Sequence, residues 1–345
     1  MVALGIAIGG ELHQLPELAR RAEAAGYESV WVAETARSAF VQATLVAQAT
    51  ERVIVGTAVA LAFPRSPAIT AMAARDLAEL SGGRFVLGLG SQVKRINEQR
   101  FSVPFEHPAP KMAEAVEAIR AVLGAFGGHP LDHRGRFYNL TMPPFPGAGP
   151  APGPVPIYLA AVNVRMAEAA GRIADGICGH PMTSPRYVGE VLRPAVVRGA
   201  RAAGRDPADV SLTTNLIAQV DEDGETARRE AALQVAFYAT TRTYAPVLAM
   251  HGFEDRQGPL RKAFARGDTV AMTDLALPMV DALAAAGTPD EVWRRVGEFE
   301  GVADRVILGP AWIGPSPERA RESFELLLEA FAGRRPPSGV RDASP

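Results

Sequence analysis

The chain has 345 residues, of which 48% are hydrophobic and 21% are charged, and its formal net charge is −2. These values are typical of a globular protein with a sizeable core, and so small a net charge gives no indication of a nucleic-acid partner. The single cysteine, Cys178, excludes a disulfide within the chain and a cysteine-rich metal site.

Short apolar runs alternate with helical patterns along the chain. The first run, Val2–Ile8, is too short for a membrane span and has no basic region before it, so we expect a cytoplasmic protein without a membrane partner. Together with it, seven further runs predict strands, at Ser29–Ala33, Arg52–Val59, Arg84–Leu89, Ile157–Ala161, Gly176–Gly179, Val210–Val220 and Arg305–Leu308. Helical spacing predicts helices between them, at residues 15–25, 40–49, 68–80, 113–126, 165–174, 185–203, 222–240, 290–299 and 317–331.

Two stretches interrupt this alternation. The first contains a loop or short hairpin at Gly127–Asn139 and a connector rich in proline and glycine at Met142–Pro156. The second runs from Tyr244 to Thr288 and includes helical pieces such as Ala276–Ala286. We interpret residues 1–332 as one domain and residues 333–345 as a weakly ordered tail.

Eight buried strands that alternate with helices predict a parallel sheet covered by helices. This length favours a closed (β/α)₈ TIM barrel with insertions after strands 4 and 7, and an open doubly wound sheet is the alternative. In a barrel, the functional site lies at the carboxyl ends of the strands.

The third strand has an unusual end. Small residues follow its β-branched start, in the order Gly56, Thr57, Ala58, Val59 and Ala60. Taken alone, these residues have two explanations: they pack a narrow barrel mouth, or they let the backbone approach a ligand closely.

Several common chemistries lack their motifs. The segment Gly88–Val93 begins like a dinucleotide fingerprint but has no third glycine, and neither a phosphate-binding loop of the Walker type nor a Gly-x-Ser-x-Gly elbow occurs. His129 and His133 are four residues apart, but Pro130 argues against one helix face, so no metal site is predicted. An enzyme built on this scaffold would therefore depend on an organic cofactor.

Four segments together resemble the luciferase-like monooxygenase superfamily, and within it the branch that uses the deazaflavin coenzyme F420. They are Ala22–Glu34, Glu51–Ala71, Leu80–Ser91 and Pro154–Ile177. The resemblance runs from Val2 to about Phe331 and is weakest between Tyr244 and Thr288. It implies a homodimeric oxidoreductase that transfers a hydride between F420 and a small organic substrate.

The resemblance also implies particular site residues. The third strand is expected to end in a bulge with a non-proline cis peptide at Ala58–Val59, which supports the cofactor ring. Ala160–Asn163 matches a phosphate-holding turn, at a strand end that opens onto a helix N-terminus. The remaining cofactor-contact positions are Thr35, Thr57, Gly90, Ser91, Gln92 and His180, among which His180 alternatively serves only to turn the chain with Pro181.

Glu34 is the candidate catalytic acid or base, because a carboxylate at a barrel mouth is costly unless it is paired or functional. The sequence departs from the family pattern at two places: Thr35 stands where relatives often have a histidine, and Val93 where a branch that oxidises a sugar phosphate has a glutamate. Lys94 and Arg95 either hold the acidic tail of the cofactor or are simply solvated.

Two alternatives remain open at this point. One is an FMN-dependent monooxygenase that receives reduced flavin from a separate flavin reductase. The other is a non-catalytic barrel that binds a flavin-like ligand.

Overall fold

The computed structural model of the chain describes residues 2–334, so most of the tail predicted at 333–345 lies outside the described residues. The strands are β1 (Ala3–Ile8), β2 (Ser29–Val32), β3 (Ile54–Thr57), β4 (Ala60–Leu61), β5 (Phe85–Gly90), β6 (His133–Arg134), β7 (Asn139–Leu140), β8 (Ile157–Ala161), β9 (Gly176–Gly179), β10 (Ser211–Val220), β11 (Ala285–Gly287) and β12 (Arg305–Gly309).

The helices alternate with these strands. They are α1 (Leu15–Ala25), α2 (Ala39–Ala49), α3 (Pro67–Leu80), α4 (Lys94–Arg100), α5 (Pro108–Phe126), α6 (Val164–Ile173), α7 (Pro185–Tyr187), α8 (Arg193–Ala202), α9 (Gly224–Ala239), α10 (Ala245–Met250), α11 (Gln257–Arg266), α12 (Thr269–Ala276), α13 (Val280–Leu283), α14 (Pro289–Gly297) and α15 (Pro317–Phe331). A π-helical turn at Val188–Leu192 joins α7 to α8. No helix within residues 2–334 is long and apolar enough to cross a bilayer.

The helix ends follow local sequence signals. Helix α1 ends at Gly26, whose φ of 95° lies in the left-handed region that glycine adopts without strain. Helix α3 begins after Ser66, whose hydroxyl accepts a hydrogen bond from the backbone N–H of Ala68. These caps fix where each helix starts or stops against the sheet.

Eight of the strands form one closed parallel barrel, in the order β10-β12-β1-β2-β3-β5-β8-β9. Strand β9 pairs back to β10, with Ser211 opposite Gly176 and Thr214 opposite Gly179. This last pairing confirms the (β/α)₈ barrel and excludes the open sheet.

The two predicted insertions are present. After β5, the fourth barrel strand, come α4, α5 and an antiparallel hairpin of β6 and β7. After β10, the seventh barrel strand, come helices α9 to α14 and the short strand β11, which pairs with the end of β10. Both insertions leave the carboxyl ends of their strands and therefore rise above the same mouth of the barrel.

Three details differ from the sequence prediction. The segment predicted as helical at Ala276–Ala286 ends in strand β11, because Ala285 and Ala286 pair with Ala218 and Gln219 of β10. Helix α4 was not predicted, since its sequence is almost entirely polar. The strand predicted at Arg52–Val59 is only Ile54–Thr57 in the structure, and the short strand β4 that follows at Ala60–Leu61 was not predicted.

The interior of the barrel is closed by large side chains. Trp31 is fully buried there with Val86, Tyr158, Cys178 and Ile307. The rings of Trp31 and Tyr158 lie 6.3 Å apart. Burial raises the pKa of the Cys178 thiol to about 12, and the cysteine is a small side chain of the core.

Glycines make room for this cluster, which we call the plug and which consists of Trp31, Val86, Tyr158, Cys178 and Ile307. A β-carbon on Gly56 would lie 2.2 Å from the Trp31 ring, and one on Gly5 would lie 2.6 Å from the hydroxyl of Ser29, which accepts the indole N–H. The plug fills the lower part of the barrel, so any ligand site must lie above it, at the carboxyl ends.

Candidate active site at the mouth of the barrel

A ring of small residues surrounds the space above the plug. Side chains alternate between the two faces of a strand, so every second residue points into the barrel. In five strands, the inward-pointing residue nearest the mouth is alanine or glycine. These positions are only partly buried or are exposed, and they are Ala7, Ala33, Ala58, Ala160 and Gly309. The mouth therefore has a floor of methyl groups and backbone, which suits a flat apolar ligand.

The third barrel strand ends in a bulge. Val55 and Gly56 of β3 lie opposite Phe85 and Val86, whereas Ala60 of β4 lies opposite Leu89. Three residues on one side, 57–59, therefore face two on the other, which is one extra residue. The peptide bond between Ala58 and Val59 is cis, as the resemblance implied.

The bulge rests against two glycines of β5. A β-carbon on Gly88 would lie 1.9 Å from the carbonyl oxygen of Thr57, and one on Gly90 would lie 2.5 Å from a methyl of Val59. The Thr57 hydroxyl donates to the carbonyl of Gly88 at 2.7 Å and accepts from its N–H at 2.9 Å. Thr57 is thus buried and holds the bulge, while Ala58 and Val59 remain partly exposed at the mouth.

Glu34 lies beside this bulge in a dense set of contacts. Its carboxylate accepts hydrogen bonds from both terminal nitrogens of Arg65, at 2.6 and 2.5 Å. It also accepts a hydrogen bond from the backbone N–H of Leu61 at 2.8 Å. The Glu34 side chain is 8% exposed and that of Arg65 is 26% exposed. The guanidinium also lies 5.3 Å from the centre of the Phe40 ring. The pair therefore ties the end of β2 to the loop that follows β4.

The residues after β5 are more open. Ser91 and Gln92 are half-buried, and Gln92 has a φ of 56°, which places its backbone in the left-handed region. The Gln92 side-chain oxygen accepts from the backbone N–H of Val93. Lys94 and Arg95 are exposed and contact Glu98 and Gln99 on their own helix. Thr35, on the neighbouring loop, is also exposed.

The predicted phosphate turn lies at the end of β8. Asn163 caps helix α6, because its side-chain oxygen accepts from the N–H of Met166 at 3.1 Å. Arg165, in the first turn, is exposed, and the carbonyl of Val162 accepts from the Tyr187 hydroxyl at 3.0 Å. A helix of ten residues thus presents its N-terminus and one cation to the mouth.

His180 follows β9 and carries two hydrogen bonds. Its Nδ1 accepts from the backbone N–H of Met182 at 3.0 Å, and its Nε2 lies 2.9 Å from the Tyr244 hydroxyl. Burial lowers the pKa of the imidazole to about 3 and raises that of the Tyr244 phenol. The Tyr238 ring stands edge-on to His180, with centroids 4.6 Å apart.

Sequence reasoning gave neither tyrosine an individual role, although it expected the stretch Tyr244–Thr288 to help line the substrate pocket. Tyr244 opens the stretch that was read as irregular, and Tyr238 lies in the predicted helix at 222–240 without any motif around it. Only the folded chain brings them to His180, which is more than fifty residues away along the sequence.

These features fit a flavin-like group. The small floor and the bulge suit a planar ring, and the α6 N-terminus with Arg165 suits the phosphate of a side chain.

Two relatives are similar to this chain in sequence over most of its length. An uncharacterized protein of Mycobacterium tuberculosis (strain ATCC 25618 / H37Rv) is 38% identical, in an alignment that covers 88% of this chain and 92% of the relative. The 5,10-methylenetetrahydromethanopterin reductase of Methanolobus tindarius is 31% identical, over 89% of this chain and 93% of the reductase.

A solved structure has the same fold. The coenzyme F420-dependent tetrahydromethanopterin reductase from Methanopyrus kandleri superimposes with a TM-score of 0.81 and 24% identity, covering 95% of this chain and 98% of the other. Residues 3–306 match the family described as luciferase-like monooxygenase. The chain therefore belongs to the luciferase-like monooxygenase family.

Proposed function

We propose that the protein is an F420-dependent oxidoreductase that acts on a small organic substrate. The observation that carries this proposal is the shelf formed by Ala58 and Val59 above the Trp31 plug, within a ring of small residues. Similarity to reductases that act on methylenetetrahydromethanopterin supports it, because one of the solved relatives is described as F420-dependent.

The residues of this chain have distinct proposed roles. Ala58 and Val59 support one face of the ring, and Gly90, Ser91 and Gln92 border it. Ala160, Ala161, Val162 and Asn163 hold the phosphate, with Arg165 adding positive charge. Thr35 and His180 complete the wall, and the buried Thr57 holds the bulge against Gly88 rather than contacting the ring. When bound, the reduced deazaflavin supplies a hydride, and the protein orients the acceptor and excludes water.

Glu34 remains our proposed acid or base from sequence. Its contacts with Arg65 and Leu61 give it a second role, since they hold the loop after β4 against β2. The two roles differ in their kinetic signature: loss of a proton-transfer group lowers kcat, whereas loss of a loop anchor also raises the Kd for the cofactor.

The test of the proposal is direct binding. Purified protein is titrated separately with F420 and with FMN, and the fluorescence of each ligand is followed. We expect micromolar binding of F420 and recovery of the oxidised deazaflavin absorbance when reduced F420 is mixed with a reducible substrate. Binding of FMN without binding of F420 would instead indicate a monooxygenase fed by a separate flavin reductase.

The same titration addresses the non-catalytic alternative. A barrel that binds F420 but never changes its oxidation state, across a broad panel of aldehydes, ketones, imines and alcohols, would be a binding protein. We propose an enzyme because the mouth combines the shelf with hydrogen-bonding groups such as His180 and Tyr244.

We also propose a homodimer. Helices α2 and α3 carry exposed apolar side chains, with Val41 49%, Ile69 55% and Met72 46% exposed. Helices α2 and α3 pack against each other, and if these side chains form one contiguous apolar patch, it would suit a subunit interface.

A further inference from the structure

The tautomer of His180 is determined by its surroundings. The backbone N–H of Met182 can act only as a hydrogen-bond donor. Because Nδ1 of His180 accepts this hydrogen bond, Nδ1 carries no hydrogen of its own. A neutral imidazole must then carry its hydrogen on Nε2. The ring is neutral because Tyr238 and Tyr244, whose rings pack against it, are uncharged and because burial opposes protonation.

This tautomer determines the direction of the next hydrogen bond. Nε2–H donates to the Tyr244 oxygen, 2.9 Å away. The hydroxyl hydrogen of Tyr244 must therefore point elsewhere, and within residues 2–334 no acceptor receives it. A phenol O–H that is oriented but has no acceptor is a donor available to a ligand.

The position of the pair places this donor at the site. Cys178 points into the barrel interior, so His180, two residues further along the chain and directly after the end of β9, lies on the inward side at the mouth. Asn215 on β10 fixes the same strand end, because its amide donates to the carbonyl of Gly179 at 2.7 Å. His180, Tyr238 and Tyr244 are each partly exposed, as residues that line an open mouth are.

We propose that Tyr244, in place of Glu34, whose carboxylate is bound by Arg65, is the proton donor to the substrate and that His180 is its positioning residue. This inference rests on the proposed function and extends it to a substrate class: neutral molecules with a reducible C=O or C=N bond. A neutral donor pair matches such an acceptor, because the acceptor gains its negative charge only during the reaction.

The reaction balances with the hydride that the proposed function supplies. The hydride would leave a C–H bond of the reduced deazaflavin, which would be oxidised by two electrons, and would form a bond to the acceptor carbon. The π-electron pair of the C=O or C=N bond would move to the oxygen or nitrogen. The O–H bond of Tyr244 breaks, and its proton goes to that atom. The phenolate is stabilised by the Nε2–H of His180 and recovers a proton from solvent at the partly open mouth.

One experiment needs neither cofactor nor turnover. The ¹⁵N NMR signals of His180 in the free protein are assigned by their loss in His180→Gln. We expect a neutral ring with hydrogen on Nε2 from about pH 8 down to about pH 5, well below an ordinary histidine pKa. A hydrogen on Nδ1, or a protonated ring in this range, would overturn the proposal even if F420 does not bind.

A second experiment measures the donor itself. Reduced F420 is mixed with benzaldehyde, cyclohexanone and 3,4-dihydroisoquinoline as probes, and wild type is compared with Tyr244→Phe. We expect kcat to fall by about 10²-fold with the Kd for F420 unchanged, as for loss of a general acid. His180→Gln, which retains an N–H donor, keeps more of the rate than His180→Leu.

The matched control is Tyr138→Phe, which removes a phenol hydroxyl from the hairpin of β6 and β7. It should leave turnover unchanged. Equal rates for Tyr244→Phe and wild type would reject Tyr244 as the donor while leaving F420 dependence intact. Absence of F420 binding by wild type would instead reject the proposed function.

Discussion

The carboxylate of Glu34 and the guanidinium of Arg65 form a two-pronged ion pair, at 2.6 and 2.5 Å, across the base of the third-strand loop. Both side chains are largely buried. Each therefore depends on the other, because a buried charge that loses its partner keeps the cost of its desolvation.

The ion pair gives the first prediction. Arg65→Met leaves the Glu34 carboxylate unpaired and should lower the free energy of unfolding by about 3 kcal/mol, whereas Glu34→Gln, which keeps an acceptor for the N–H of Leu61, should cost less. Urea denaturation of both variants measures this loss of stability.

If Glu34 also transfers a proton, Glu34→Gln lowers kcat by a larger factor than Arg65→Met does. Unchanged turnover in Glu34→Gln would exclude an acid or base role.

Gly88 should tolerate no side chain. A β-carbon there would meet the Thr57 carbonyl, which is backbone and cannot rotate away. Gly88→Ala should therefore displace the bulge, lower stability by about 1–3 kcal/mol and weaken F420 binding. Gly258→Ala in helix α11, where a β-carbon meets nothing within 4 Å, is the control and should be neutral or stabilising. Normal F420 affinity in Gly88→Ala would contradict the proposed shelf.

His180 should make stability depend on pH. Its pKa is about 3 in the folded chain, below the ordinary value of 6.5, so on acidification the unfolded chain binds a proton that the folded chain does not. The free energy of unfolding is therefore highest above about pH 6.5 and decreases as the pH falls toward 3. At about pH 5 the loss is on the order of 2 kcal/mol. Wild type and His180→Gln are compared by denaturation across this range. Parallel curves for the two proteins would show that the folded chain does not lower the pKa of His180.

Arg165 should contribute to anion binding in a salt-dependent way. The side chain is exposed in the first turn of α6, so its attraction to a phosphate is partly screened. Arg165→Gln should raise the Kd for F420 by about 3- to 10-fold at low ionic strength and by less at high salt. Arg172→Gln, in the last turn of the same helix, should leave the Kd unchanged. A salt-independent effect would place the phosphate elsewhere.

Met72 should report on the proposed dimer. Its side chain is 46% exposed on α3, near the exposed Ile69. Met72→Glu should convert a dimer to a monomer, because a charge in an apolar interface loses its hydration. Light scattering after size-exclusion chromatography measures the mass. A monomeric wild type would show that α2 and α3 do not form the interface at working concentration.

Much of the fold follows from local pattern. Strands such as Ile157–Ala161 and Gly176–Gly179 were predicted with the bounds that the structure shows, because buried parallel strands are short apolar runs between clear breaks. Helix α4 and strand β11 were not predicted, because neither has a clear local pattern of apolar residues. The first is a polar surface helix, and the second is a run of alanines whose state depends on pairing with β10.

The sequence by itself predicted the barrel and the small residues at the end of the third strand, because both follow from the order of residues along the chain. It also indicated the family, through segments that resemble it. Only the tertiary structure decided that Glu34 is bound by Arg65, that Gly88 and Gly90 lie against the bulge, and that the His180 ring lies within hydrogen-bond distance of the Tyr244 hydroxyl. Each of these contacts joins residues separated by about thirty or more positions, and their geometry exists only once closure of the barrel brings the strand ends together.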